Sequence, residues 1–163
     1  MRDFTIGGYI PGTIGRVVEL HAQYYSTAWD FGLYFETKLA MEMSEFVQRF
    51  DPERDGIWTI SRKGYVGGAI VIDGLDVASE AAHLRWFIVS EKLRGLGFGN
   101  RLMTEAVQFC RRHGFRQVYL CTFKGLHTAR HLYEKFGFRL MQEMPGKQWG
   151  TEVLEQKYVL VLH

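Results

Sequence analysis

At 163 residues the chain is long enough for one domain with a substantial core. Hydrophobic residues make up 47% and charged residues 23%, with both signs spread along the sequence, which excludes a disordered chain and favours a soluble globular domain. The net charge of +2 argues against nucleic acid as a partner, and no apolar run approaches the ~20 residues of a membrane helix.

The elements follow in chain order. Phe4 to Tyr9 reads as a short first strand. Pro11-Gly12-Thr13 opens a helix whose apolar face carries Ile14, Val17, Val18, His21 and Tyr24. A second helix is predicted over 33–50, with Phe35, Leu39, Met43, Phe46, Val47 and Phe50 on one stripe. Asp51-Pro52 ends it, because the residue before a proline is pushed out of helical geometry. Ile57 to Arg62 and Tyr65 to Ile72 are rich in β-branched and aromatic residues, and Lys63-Gly64 between them predicts a hairpin. Ala82 to Val89 is a third strand of this run, expected to alternate His83 and Arg85 on one face with Leu84 and Trp86 on the other. A helix over 99–112 carries Leu102, Ala106, Val107 and Cys110 on one face, ending at Arg111-Arg112-His113 toward water, with Gly114 as its left-handed cap. Gln117 to Phe123 is a strand, Thr128 to Phe136 a helix, and Phe138 to Met144 and Glu152 to Leu160 the last two strands. The sum is one mixed α/β domain over 1–163, with six to seven strands and four helices. No linker composition divides it. The unit from Ala82 to Phe123 is β-α-β, so its strands should be parallel.

Cys110 and Cys121 form no CxxC pair and stand near no metal-ligand cluster, so they read as two buried thiols in a reducing cytoplasm, with no metal expected. The N-terminal residues Met1 to Phe4 show no signal-peptide core, and a cytoplasmic location is expected.

Arg94-Gly95-Leu96-Gly97-Phe98-Gly99 stands where a strand gives way to a helix. The first turn of a helix has four backbone N–H groups without intrahelical partners, and the macrodipole adds partial positive charge there. Glycines admit an anion close to that backbone. Each amide bonded to a phosphate is worth ~1.5–3 kcal/mol, and Arg94 can add a charge-assisted contact. A P-loop would need Gly-Lys-Ser/Thr, but Gly99 is followed by Asn100-Arg101. A dinucleotide fingerprint would put its last glycine at Asn100. Arg/Gln-x-x-Gly-x-Gly/Ala is matched at every position. Three glycines within five residues also weaken the reading as an ordinary turn.

That motif, with Leu132-Tyr133-Glu134-Lys135-Phe136-Gly137-Phe138 downstream, resembles the two signatures of the GNAT N-acetyltransferases. The helical start and the β-β-β-α-β-α-β-β order fit the same family, and the resemblance covers almost the whole chain. The wording "ARHLYEKFGFRL" further resembles acetyltransferase domains fused to MarR-type regulators. The resemblance implies acetyl-CoA as cofactor and the GNAT acyl-CoA N-acyltransferase fold. It places Phe87, Ile88 and Val89 along the pantetheine arm. Backbone amides of Leu96, Gly97, Phe98, Gly99 and Asn100, with Arg94 and Gly95, would hold the pyrophosphate.

Acyl transfer to an amine needs a free-base nucleophile and a protonated leaving thiol. A lysine-like amine is neutral in roughly one molecule per two thousand at pH 7, so a base, a water path or a depressed amine pKa is required. By resemblance Tyr133 is the general acid beside the sulfur; by spacing alone it is a core tyrosine on an amphipathic helix. His83 corresponds to a proton-accepting histidine of arylalkylamine-type members, and otherwise reads as a half-exposed strand residue. Glu80 is the alternative base, acting through water, or an ordinary loop carboxylate. Many members carry Asn seven residues before the tyrosine, where this chain has Leu126; Lys124 or His127 would have to replace that contact. The acceptor, a small-molecule or peptide amine, is expected near the first two helices, with Tyr25, Trp29 and Arg85 as substrate-binding residues. Asp30 and Glu36 read either as carboxylates that attract its charge or as ordinary surface residues, and the loop around Trp149 as a segment able to close over it. The sequence leaves open a homodimer. A non-catalytic acyl-CoA sensor of the same fold and a nucleotide-binding oxidoreductase are the rival readings.

Overall fold

The computed structural model describes residues 3–75 and 80–163. Of the N-terminal residues read above, Met1 and Arg2 lie outside that range. A seven-stranded sheet carries helices on both faces. In chain order the elements are β1 (Thr5–Gly7), α1 (Thr13–Trp29), α2 (Leu33–Gln48), β2 (Gly56–Arg62), β3 (Tyr65–Asp73), β4 (Ala81–Val89), α3 (Phe98–Arg112), β5 (Gln117–Phe123), α4 (His127–Lys135), β6 (Arg139–Gly146) and β7 (Val153–Val161), with a single helical turn at Glu91–Leu93 before α3. The sheet order is β1-β2-β3-β4-β5-β7-β6. Each predicted element is present within a few residues of its expected ends.

Local chemistry explains the boundaries. Lys63 and Gly64 both take positive φ, 49° and 77°, the left-handed pair that suits a two-residue hairpin between β2 and β3. Gly114 takes φ 78° just past α3, and the Phe115 N–H donates to the Cys110 carbonyl across it. α3 buries Leu102, Met103, Ala106, Val107, Phe109 and Cys110 against one face of the sheet, where Ile70, Ile72, Leu84, Val118 and Tyr158 meet them. α1 and α2 bury Val17, Leu20, Phe35, Leu39 and Met43 against the opposite face, with Ile88 and Phe123. Removing one fully buried leucine such as Leu102 from such a core typically costs ~2–5 kcal/mol.

Two features of β4 shape the site. The first is a bulge. Val71 pairs with Arg85 and Ala69 with Ile88, so Trp86 and Phe87 together oppose Ile70. Trp86 takes φ 51° there. The extra residue reverses the alternation, which corrects the expected pairing of Leu84 and Trp86 on one face. Leu84 packs under α3, whereas Trp86 turns toward α2 and meets Phe46 with ring centroids 5.6 Å apart. Arg85 then lies beside Trp86 on the same side, its guanidinium 4.1 Å from the ring centroid.

The second is a parting of strands. β4 and β5 pair in parallel only through Ala81–Gln117, Ala82–Val118 and His83–Tyr119. Beyond that point β4 stays with β3 and β5 stays with β7. The facing edges from Leu84 and Leu120 onward diverge and open a cleft in the middle of the sheet.

Candidate active site

The cleft leads into two cavities. The larger, about 540 Å3, runs between the end of β4, the N-terminus of α3 and the N-terminal half of α4. Phe87, Ile88 and Val89 line it, with Arg94, Gly95, Gly97, Phe98, Gly99 and Asn100 at its glycine-rich end. Leu96 is the exception among the expected cofactor residues: it does not line the cavity, and its side chain is 46% exposed. α3 begins with Gly97 as N-cap at φ 85°, with no side-chain cap and no acidic residue in the first turn. The first intrahelical bond there is Arg101 N–H to the Gly97 carbonyl, at 3.1 Å. The N–H groups of Phe98, Gly99 and Asn100 therefore face the cavity end unpaired by the helix, in a site where burial strengthens any anion contact. Such a mouth fits a diphosphate. Gly95, at φ 77°, makes the turn with Gly97, and neither position suits a side chain.

Arg94 is already engaged. Its Nε donates to the Val89 carbonyl at 3.2 Å and its guanidinium sits 4.4 Å from the Tyr24 ring centroid. It stands at the cavity rim as a fixed positive charge. The far wall comes from Gly125, Leu126, His127 and Leu132. His127 thus stands on the side where Leu126 supplies no polar group, while Lys124 does not line this cavity.

The smaller cavity, about 180 Å3, lies between α1, α2 and the diverging strands. Three residues line both spaces: Tyr25, Phe87 and Tyr133. Tyr133 is 7% exposed, packs near Phe138 and Tyr158, and makes no hydrogen bond through its hydroxyl among the described residues. Burial, with neighbouring Tyr25 and Tyr158, pushes its pKa well up, so the phenol holds its proton. Burial raises Tyr25 in the same way.

His83 and Arg85 both reach this smaller cavity from β4. His83 stacks on Tyr119 with centroids 4.4 Å apart. Burial, then the charge of Arg85, lowers its pKa to about 3, so the imidazole is neutral over the physiological range. His21, read from the sequence only as part of an apolar helix face, is a second cavity histidine. It is 6% exposed, its Nδ1 sits 2.8 Å from the Val17 carbonyl, and burial lowers its pKa to about 4. With Nδ1 donating to Val17, Nε2 keeps its lone pair.

Other expectations need correcting. Glu80 is exposed, takes φ 54°, pairs with Arg116 at 2.6 Å, and lines neither cavity. Trp29 also lines neither; it packs edge-on to Phe123 at 4.8 Å and covers the backbone of Gly125. Asp30 is the exposed left-handed cap of α1, and Glu36 is exposed on α2; neither reaches the cavity. Cys110 is buried as expected, its thiol pushed up to about 12, but Cys121 is exposed and lines the smaller cavity. β5 has already parted from β4 beyond Tyr119, so the Cys121 thiol borders the cleft rather than core. Trp149 does line the cavity, at 5.6 Å from Phe123, and Gln148 beside it is tied to Glu155. Lys38 and Glu42 of α2 also line it. Their i, i+4 spacing was visible in the sequence, but it is equally that of any solvated helix pair.

A cleft between parting strands thus has a glycine-capped helix aimed into it and a buried phenol at its depth. The model of the acetyltransferase (GNAT) family matches residues 15–138, and the chain belongs to that family. It is thus an acetyl-CoA-dependent N-acetyltransferase at the level the family defines. Among curated proteins it is similar to an uncharacterized N-acetyltransferase, YjgM, of Escherichia coli K12, 27% identical over 126 residues, covering 77% of this chain and 74% of that one. It is also similar to N-alpha-acetyltransferase 80 of Mus musculus, 37% identical over 59 residues; that match takes in 36% of this chain and only 18% of the mouse protein's length. The fold matches that of yncA, an acetyltransferase from Salmonella typhimurium solved with its cofactor acetyl-CoA, with TM-score 0.72 at 15% identity over 99% of this chain and 95% of that one. Among the described residues, no helix is long and apolar enough to cross a membrane.

Proposed function

We propose that the protein transfers an acetyl group from acetyl-CoA to a primary amine by direct attack, with both substrates bound together. The observation that carries this reading is the position of Tyr133, shared by the large groove and the small cavity. The groove takes the coenzyme: backbone groups of Phe87, Ile88 and Val89 pair with the pantetheine arm, and the amides of Gly97 to Asn100 hold the diphosphate, with Arg94 adding charge at the rim. The thioester supplies an activated acetyl group at the junction. The small cavity takes the amine.

Tyr133 hands its proton to the sulfur as the C–N bond forms and the C–S bond breaks. A phenol whose pKa is raised by burial suits this role and not that of a base. His83 accepts a hydrogen bond from the amine N–H, the proton that the amine loses on attack goes to bulk water, and Tyr133 regains a proton from water once the thiol has left. Both cavity histidines are neutral, so they place no charge against the nucleophile, and the amine reacts as the free base. Glu80, paired with Arg116, takes no part.

β6 pairs with β7 on one side and lies at the sheet edge on the other, with Leu140, Met141 and Met144 exposed; that open edge is one a second copy of the chain can cover, so we propose a homodimer. Two unpaired cysteines suit the cytoplasm. A thiol-release assay with acetyl-CoA over an amine library tests the function. Release that depends on one class of amine supports it. Acetyl-CoA binding with no release from any amine leaves a sensor and overturns the enzyme reading.

A further inference from the structure

The small cavity is not built for a polycation. Lys38 and Glu42 form an ion pair on α2, and Arg85 reaches the other Glu42 oxygen through Nη2 at 3.0 Å. Arg85 Nη1 donates to Asp73 at 3.1 Å, and Arg49 grips both Asp73 oxygens at 3.1 and 2.7 Å. Burial works against charge on Asp73, yet the Arg49 hydrogen bond and those from Leu75 N–H and Arg85 hold it below the usual carboxylate range. Three cations thus share two carboxylates, and every carboxylate oxygen in the set is already engaged by a protein cation.

Of these five side chains, Lys38, Glu42 and Arg85 face the cavity, while Asp73 is 7% exposed and sits behind with Arg49. The surplus charge facing the space is positive. Lys157 on β7, 4.9 Å from the Tyr119 ring centroid, does not itself line the cavity, and Glu155 on the same strand opposes its charge at Cys121. At His83 burial is the main force against protonation, and after it Arg85 and Lys157 act in the same direction while Asp73 opposes them. Lys38 has three donor hydrogens and Arg85 five, and the contacts above use one and two of them. The rest of the wall is largely aromatic: Tyr25, Phe35, Trp86 and Phe123. A partly buried cation excess with spare donors is satisfied by an incoming oxyanion, whereas a second ammonium group would be repelled.

We propose that the acceptor is a small amine carrying its own carboxylate, of the free amino acid class, with the carboxylate on Lys38 and Arg85 and an apolar or aromatic side chain on the tyrosine, phenylalanine and tryptophan wall. This rests on the amine acetyltransfer proposed above. A cavity of about 180 Å3 is on the scale of one such molecule.

The test uses the full chain, acetyl-CoA and matched acceptors that differ only in the carboxylate: phenylalanine with phenethylamine, tyrosine with tyramine, tryptophan with tryptamine. The expected result is a kcat/KM at least about tenfold higher for the carboxylated member of each pair that is turned over, the size of one to two charge-assisted hydrogen bonds. In Lys38→Met the preference should shrink to about twofold through a rise in KM, and Lys38→Arg should restore it. Preference for the decarboxylated partners, turnover confined to amines without an anion, or an unaltered preference in a folded Lys38→Met variant overturns the inference and leaves acetyltransfer standing. Bound acetyl-CoA with silence across the pairs and across a wider amine library overturns both.

Discussion

Replacing His21 with glutamine should remove one specific source of acid sensitivity from the fold. The imidazole is 6% exposed, and burial lowers its pKa from 6.5 to about 4, against the opposing hydrogen bond to Val17. The unfolded chain therefore takes up a proton below pH 6.5 that the folded chain refuses until about pH 4. The sign follows: the stability is fully present above the unfolded value and is lost as pH falls across that window. A shift of this size corresponds to about 3 kcal/mol at the acid end, at about 1.36 kcal/mol per pH unit. Urea unfolding of both proteins at several pH values from neutral to acid gives the difference in stability directly. Any fixed cost of the substitution cancels in the comparison. The gap between wild type and His21→Gln should close, or change sign, by about 3 kcal/mol across the window. A gap constant to within about 0.5 kcal/mol, the error of such comparisons, would refute the picture of a buried neutral imidazole.

Tyr133→Phe should lower kcat by about a hundredfold or more, the usual scale of a general acid, while the Kd for acetyl-CoA changes by less than about twofold. Unchanged turnover removes Tyr133 as the proton donor. Gly97→Ala forces a side chain into φ 85° at the α3 cap, and should weaken acetyl-CoA binding by about tenfold as the first turn shifts, read by calorimetry. Gly125→Ala should lower stability by about 2 kcal/mol or more, because its φ of 117° disfavours a side chain and the new Cβ would stand 2.2 Å from the Trp29 ring. A wild-type midpoint in denaturant would show that Trp29 does not rest there.

The glycine loop was legible because its cause is local. A helix start with positive φ at two positions of one turn favours glycine whatever surrounds it, and Gly95 and Gly97, one residue apart, are those positions. The α3 stripe and the β2–β3 hairpin turn were legible for similar reasons, since spacing and turn chemistry act within a few residues. The acceptor side was not. The bulge at Trp86–Phe87 depends on register against β3, and no period within β4 announces it. It moves Trp86 to the face of α2 and Arg85 into a charge network with Glu42 and Asp73. Trp29 and Tyr25 look alike in an aromatic run, yet packing on Gly125 takes one away and the meeting of two cavities claims the other. His21 has helical spacing typical of core, and only the tertiary fold shows that its ring ends at a cavity. Cys121 is exposed because β5 has lost β4 as a neighbour by that point.

The most direct measurement is an amide NMR titration of the labelled protein with acetyl-CoA. The account predicts that the backbone N–H signals of Gly97, Phe98, Gly99 and Asn100 move most, and that desulfo analogues retaining the diphosphate move the same set. Saturable binding that leaves these four amides in place while signals elsewhere shift would contradict it.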